Sequence, residues 1–273
     1  MGDNAKSLLI LGAGFLGISA ARAALSLGYR VRGTTRSSSR AEVLQQMGVE
    51  AIVAPELSAS LLDSLFSDRP LVLVTFPPDE ASDAAVLQKL PLARASVYIS
   101  STGVYGETSG RIDEDTPVDI REPRAALRFA TETLYRAQGA VVLRAAAIYG
   151  PGRGLHVRLK RGEHKVSEGG KRVVSRIHVD DLSRLSLLSL EAGLRDEVFV
   201  VADEAPVPQA EVIDWLCDRL KVPRPLEVSV ESLPETLRHD RSIDGRRILR
   251  RLNVALLYPS YREGFAACLD GLA

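Results

Sequence analysis

The sequence predicts an α/β fold, with a doubly wound parallel sheet and a smaller α/β lobe formed mainly by the C-terminal part of the chain. Short apolar runs alternate with helical patterns through the first half of the sequence. Such an alternation is typical of a parallel sheet whose strands are connected by crossover helices. The chain has 273 residues, of which 45% are hydrophobic, and this is enough for one large domain with a sizeable core and an added lobe.

The strands and helices follow from the apolar patterns. Six runs in the first half and one later run predict strands, namely "KSLLILG", "YRVRGTT", "VEAIVA", "LVLVTF", "ASVYIS", "AVVLRAA" and "EVFVVAD". Later patterns predict helices in "DDLSRLSLLSLEAG", "PQAEVIDWLCDRLKVP" and "YPSYREGFAACLDGL". The first of these helices should have Asp180 or Asp181 at its N-cap and Gly193 just past its end.

Composition and charge exclude several classes of partner. Lys+Arg and Asp+Glu both count 35, so no net field would draw the chain to nucleic acid or to an anionic membrane. No apolar stretch is long enough to span a membrane or to act as a signal peptide, and we expect a cytoplasmic protein. Cys217 and Cys268 are isolated in helical patterns and should be buried, and four scattered histidines predict no metal site.

A glycine-rich turn follows the first predicted strand. In "LLILGAGFLG", Gly12, Gly14 and Gly17 have the GxGxxG spacing and lead into an Ala-rich helix. Gly12 would make the tight turn, Gly14 would let backbone approach a pyrophosphate at the helix N-terminus, and Gly17 would let the helix pack on the strand. We therefore predict a Rossmann dinucleotide site, with Phe15 and Leu16 also at the cofactor. A purely structural turn is the alternative.

This motif also suggests a division of the chain. Residues 1–150 should form the dinucleotide-binding domain, and residues 151–273 should form mainly a small substrate lobe. Segments around 174–203 are expected to return to the main sheet.

The end of the second strand indicates which dinucleotide is bound. An Asp or Glu about 20 residues past the glycines would hold the 2′-hydroxyl of NAD. The sequence has no acid there and has Thr35, Arg36 and Ser37 instead. Arg36 would pair with a 2′-phosphate, so we expect NADP, with NAD still open; a solvated loop arginine is the alternative.

The fourth predicted strand ends in Phe76, Pro77 and Pro78. A segment with so few hydrogen-bond donors can form a wall of the cofactor site. A simple turn leading into the next helix is the alternative interpretation.

Four strings along the chain carry a resemblance to a known family: "GAGFLG", "YISSTGVYGE", "VLRAAAIYGPGRG" and "SRIHVDDLSRL". In order and spacing they resemble the extended, epimerase/dehydratase-like branch of the short-chain dehydrogenase/reductase superfamily. Alignment on "VYG" implies that Ser101 is the family's catalytic Ser/Thr, whose hydroxyl holds the substrate oxygen. A strand-end serine that caps a loop is the alternative.

Two features depart from that family's pattern. Leu11 stands where the family's glycine motif has an additional glycine. If Glu132 is the glutamate that commonly follows the family's Tyr-x-x-x-Lys pair, Arg124 and Arg128 occupy the tyrosine and lysine positions. Arg124 cannot replace the tyrosine as proton donor, because a guanidinium does not deprotonate in proteins, and a missing general acid costs roughly 10² to 10⁴ in rate. The chain thus resembles atypical members that keep the dinucleotide site without the usual pair.

Three functions fit these observations. The first is an NADP-preferring oxidoreductase or epimerase that acts on a small polar substrate with an unusual acid, and Tyr105, Glu107, Tyr149 and His156 are candidates for that acid. The second is a non-catalytic dinucleotide-binding redox sensor or regulatory protein. The third is a sugar-nucleotide enzyme whose diphosphate cradle would be formed by three arginines of the lobe, Arg153, Arg158 and Arg161.

The expected partner is a small-molecule substrate or ligand, and a homodimer is left open. Arg124 and Arg128 lie four residues apart and would share a helix face, which suggests that the ligand carries a carboxylate or phosphate.

Overall fold

The computed structural model describes residues 6–233 and 238–270, with thirteen strands and ten helices. The strands are β1 (Ser7–Leu11), β2 (Arg30–Thr35), β3 (Glu50–Val53), β4 (Leu71–Val74), β5 (Ala95–Ser101), β6 (Gly110–Ile112), β7 (Val141–Ala145), β8 (Ala147–Tyr149), β9 (Lys165–Val166), β10 (Arg176–His178), β11 (Val198–Val201), β12 (Leu226–Glu227) and β13 (Arg241–Ile243). The helices are α1 (Phe15–Ser26), α2 (Ser38–Gln46), α3 (Ala59–Phe66), α4 (Glu80–Lys89), α5 (Pro123–Ala137), α6 (Leu155–Lys160), α7 (Val179–Glu191), α8 (Gln209–Leu220), α9 (Arg246–Leu252) and α10 (Tyr261–Asp270). Within these described ranges, no helix combines the length and apolar character needed to cross a membrane.

The main sheet has seven strands in the order β11-β7-β5-β4-β1-β2-β3. The ladders of β1 with β2, β1 with β4, β2 with β3 and β4 with β5 are all parallel. The chain leaves β1 toward β2 and β3 on one side and returns to β4 on the other, so the strand order reverses beside β1. The predicted α/β fold is confirmed, and all seven predicted strands lie in this sheet.

Six short strands form three separate parallel pairs, β8 with β10, β9 with β12 and β6 with β13. Each strand has two or three residues. The sequence analysis assigned none of these pairs, because segments this short show no apolar periodicity.

The chain divides into two compact units. The first unit contains Met1–Ser101, Ala126–Arg144 and Leu182–Phe199, and the second contains Thr102–Ala125, Ala145–Asp181 and Val200–Ala273. Each unit has a hydrophobic core of its own. The first core includes strand residues such as Leu9, Val72 and Val142, and the second contains buried residues of α8 and α10.

Two predicted details of the helices have different outcomes. Cys217 and Cys268 are buried free thiols, as expected. The N-cap prediction for α7 is wrong, because the helix already begins at Val179 and both aspartates lie in its first turn. The Asp181 carboxylate instead accepts the backbone N–H groups of Leu257 at 2.7 Å and Tyr258 at 3.0 Å.

The predicted helix end at Gly193 and the C-terminal helix are also found. Gly193 follows α7 with φ of 62°. The tail is helical through α10, and residues 271 and 272 of the predicted helix lie outside the described residues.

Candidate dinucleotide site

In the turn after β1, the backbone at position 12 lies so close to its neighbours that only glycine fits there. Gly12 has φ of +85°, and a Cβ placed on it would lie 2.9 Å from the Cβ of Phe76. Its N–H donates to Thr34 Oγ1 at 3.1 Å, and the N–H of Ala13 donates to the Thr34 carbonyl oxygen at 2.7 Å. A side chain on Gly12 would be strained by the backbone and would collide with the segment after β4.

Gly14 and Gly17 have different surroundings. A Cβ on Gly17 would lie 3.1 Å from Ile10 Cγ2, which shows that α1 packs tightly on β1. For a Cβ on Gly14, the nearest atom among the described residues is the Gly12 carbonyl oxygen at 3.7 Å. Packing therefore gives no reason for glycine at position 14, whereas a pyrophosphate at the N-terminus of α1 would need that space.

The two residues between these glycines present different groups to the turn. The side chain of Phe15 is half-buried and that of Leu16 is buried. Leu16 can therefore offer a ligand its backbone amide but not its side chain.

The segment after β4 borders the same turn. Thr75 donates its hydroxyl to the Gly12 carbonyl oxygen at 2.5 Å, and Phe76 packs against Gly12. Pro77 is exposed, and Pro78 is half-buried. The loops after β1 and β4 therefore meet where the strand order reverses, which is the usual ligand position in a doubly wound sheet. The sequence analysis did not single out Thr75. A polar residue directly after a buried strand could have indicated a residue of the site.

The end of β2 presents an exposed arginine beside a helix N-terminus. Thr35 is buried and Arg36 is exposed. Ser37 is the N-cap of α2, and its hydroxyl accepts the N–H of Arg40 at 3.3 Å. Hydrogen bonds from Ser82 lower the pKa of the Asp79 carboxyl, and the positive charge of Arg36 acts in the same direction.

Ser101 is the last residue of β5 and is half-buried. The turn that follows, residues 102–108, is held in the second unit by Arg241. The Arg241 guanidinium donates from Nε to the Thr108 carbonyl oxygen at 2.8 Å and from Nη1 to the Thr102 carbonyl oxygen at 3.1 Å. Tyr105 in this turn is buried, and its hydroxyl donates to the Asp113 carbonyl oxygen at 2.9 Å. The Tyr105 hydroxyl therefore holds this turn to the backbone at Asp113.

Helix α5 carries Arg124 and Arg128, which the sequence analysis predicts at the family's tyrosine and lysine positions. The helix begins at Pro123, where a missing N–H has no cost. Arg124 is exposed and Arg128 is half-buried. Glu132 is buried and pairs with buried Arg144 of β7, whose Nε lies 3.0 Å from the Glu132 Oε1. This buried pair ties α5 to the main sheet.

Tyr149 and His156 are poorly suited to proton transfer in this conformation, whereas Glu107 is accessible. Tyr149 is buried, and its hydroxyl lies 1.8 Å from where a Cβ on Gly264 would stand. Burial raises the pKa of Tyr149 and lowers the pKa of buried His156. Glu107 is exposed and lines a cleft of about 470 Å³ in the second unit, together with Ser109, Glu122, Arg238 and His239.

The three lobe arginines differ in exposure. Arg153 and Arg161 are exposed, whereas Arg158 is half-buried, and burial lowers the pKa of its guanidinium.

The sheet and the glycine turn define a doubly wound α/β protein of the Rossmann type. Residues 84–202 match the model of the NAD dependent epimerase/dehydratase family. This match agrees with the predicted resemblance to the extended, epimerase/dehydratase-like branch of the short-chain dehydrogenase/reductase superfamily.

Three known proteins show the extent of the similarity. The protein YeeZ of Escherichia coli strain K12 is 25% identical over 93% of this chain and 97% of its own length. A functionally unknown conserved protein from Silicibacter pomeroyi is 28% identical, with a TM-score of 0.84 over 97% of this chain and 99% of its own. UDP-glucose 4-epimerase from Thermotoga maritima, solved with UDP-glucose, is 20% identical, with a TM-score of 0.82 over 97% and 98% of the two chains. This last likeness concerns the fold.

Proposed function

We propose that the chain is an NADP-preferring oxidoreductase or epimerase that acts on a small polar substrate. The observation that carries the proposal is the glycine turn, where Gly12 and Gly17 have internal packing reasons to be glycine and Gly14 does not. The match to a family of NAD dependent enzymes supports a nicotinamide dinucleotide in that space. When bound, the nicotinamide would supply or accept a hydride.

The chain's own residues would bind and orient the reactants. The amides at the start of α1 would hold the pyrophosphate, and Arg36 would hold a 2′-phosphate. Ser101, at the end of β5, would hold the substrate oxygen. The positive charges of Arg124 and Arg128 favour a substrate with a carboxylate or phosphate, because guanidinium groups bind these anions with two parallel hydrogen bonds.

Arg36 provides the first test. A charged hydrogen bond of roughly 1.5 to 3 kcal/mol should favour NADPH over NADH by about ten- to a hundredfold, and Arg36→Asp should reverse the order. Calorimetric titration of both nucleotides measures this ratio. Arg22→Asp is the matched control, because Arg22 is an exposed arginine of α1 in the same unit. Equal affinity of the parent for the two nucleotides, or tighter NADH binding, contradicts the NADP assignment.

A non-catalytic dinucleotide-binding regulator is the second candidate. It is favoured by the arginines at the tyrosine and lysine positions of α5 and by the structural use of the Tyr105 hydroxyl. A screen of NADPH oxidation with aldehydes, ketones and small keto acids separates the two candidates. Turnover that disappears in Ser101→Ala supports the enzyme, whereas tight NADPH binding without turnover on any of these compounds supports the regulator.

A further inference from the structure

A buried polar pair in the first unit lies directly behind the segment that follows β4. The Tyr135 hydroxyl, on α5, donates to the Asp83 carboxylate oxygen Oδ1, on α4, at 2.8 Å. Tyr135 is fully buried and Asp83 is 5% exposed. The pair therefore joins two neighbouring helices without contact with water.

The second oxygen of the same carboxylate holds the start of α4. Asp83 Oδ2 accepts the backbone N–H of Asp79 at 2.8 Å. Asp79 is the N-cap of α4, and its own carboxylate accepts the N–H of Ser82 at 3.0 Å. Asp83 thus fixes the backbone at the point where the segment from β4 enters the helix.

This segment, residues 76–79, borders the proposed cofactor site at its first residue, where Phe76 packs against Gly12. We infer that the Tyr135–Asp83 pair positions residues 76–79 and thereby sets the affinity of the site for NADPH. The inference rests on the proposed function, since it takes the dinucleotide to bind beside Phe76 at the glycine turn.

The electrostatics of Asp83 indicate that its carboxylate serves to orient its two hydrogen-bond donors. Burial raises the pKa of the Asp83 carboxyl, and the bonds from the Asp79 amide and the Tyr135 hydroxyl oppose that rise. An apolar side chain of similar volume would fill this position without the cost of burying a charge. Unlike an apolar side chain, the carboxylate has two acceptor oxygens. They bind the start of α4 and the Tyr135 hydroxyl of α5.

The neighbouring residue Tyr98 offers a matched control. Its ring stacks on the ring of Tyr135, with centroids 4.3 Å apart and planes 10° apart. Its hydroxyl is buried and has no hydrogen-bond partner among the described residues. Tyr98→Phe therefore removes the same atom from the same stack without changing a bond to Asp83.

The experiment compares the parent, Tyr135→Phe and Tyr98→Phe by calorimetric titration with NADPH, thermal unfolding and hydrogen exchange of the amides of Phe76 and of residues 79–82. Loss of one hydrogen bond in Tyr135→Phe should weaken NADPH binding about 3- to 10-fold and speed exchange in that segment. Tyr98→Phe should match the parent in both measurements. Asp83→Asn keeps an oxygen acceptor for the Asp79 amide and should bind NADPH more tightly than Asp83→Leu does.

Two negative results are distinguishable. If the parent binds NADPH and Tyr135→Phe binds it equally well, the pair is structural only and the inference is wrong, whatever the melting temperature of the variant. If the parent itself binds neither NADPH nor NADH, the proposed function fails and the inference falls with it.

Discussion

At the scale of single residues, the three glycines of the turn after β1 serve three different purposes. Gly12 accepts a positive φ beside Phe76, and Gly17 allows close packing against Ile10, whereas a Cβ on Gly14 would meet only the Gly12 carbonyl oxygen, at 3.7 Å. Packing therefore requires glycine at two positions of the motif, and the proposed cofactor site accounts for the third.

This difference leads to a prediction about two valine substitutions. Gly14→Val should abolish NADPH binding and leave the circular dichroism spectrum and melting temperature near those of the parent. Gly17→Val should instead destabilise the fold by about 1 to 3 kcal/mol, because the new side chain meets Ile10. Titration and thermal unfolding of both variants measure the contrast. Normal NADPH binding by Gly14→Val would make the turn purely structural and remove the basis of the proposed function.

At the scale of secondary structure, the long elements were predictable and the short ones were not. Apolar runs identified all seven strands of the main sheet, because buried parallel strands are continuously hydrophobic. The pair β6 and β13 was not predictable, since three residues carry no periodicity and the partners are far apart in the chain. The same reason hid the bond between Tyr135 and Asp83, which are 52 residues apart and belong to no motif.

The contact between α5 and β7 allows a prediction about stability. Glu132 and Arg144 form a buried ion pair, with side chains that are 3% and 7% exposed. Removing one partner leaves a buried charge without its counterion, so Glu132→Ala should lower the free energy of unfolding by about 3 to 5 kcal/mol. Glu50→Ala is the control, because Glu50 pairs with Arg30 at the surface and should change stability by less than about 1 kcal/mol. Equal effects in urea unfolding would show that burial of the Glu132 pair contributes nothing specific.

At the scale of the whole molecule, one buried acid links stability to pH. Asp203 follows β11 in the second unit and is 2% exposed. Burial raises the pKa of its carboxyl from the ordinary 3.8 to about 7, while the charge of Arg176 acts against that rise. A carboxyl whose pKa is raised by folding stabilises the folded state while it is protonated. Its contribution is therefore full below pH 3.8 and is lost as the pH rises through about 7.

The measurement compares the parent with Asp203→Asn, which cannot titrate at this position. Between pH 4 and pH 8 the parent should lose up to about 4 kcal/mol of unfolding free energy relative to the variant. Urea unfolding at several pH values gives this difference and cancels the contributions of the other titrating groups. A constant difference across the range would mean that Asp203 keeps its ordinary pKa in the folded protein.

The bonds that Arg241 makes to residues 102 and 108 have a consequence for synthesis of the chain. Arg241 lies 139 residues after Thr102, and β13 pairs with β6 only after that stretch has left the ribosome. A nascent chain that already contains the glycine turn and its neighbouring strands still lacks the guanidinium that holds both carbonyl groups of the turn after Ser101. Domains generally fold as their residues emerge during translation. Strands β1 to β4 can therefore form early, whereas the turn after Ser101 takes its final form near the end of translation.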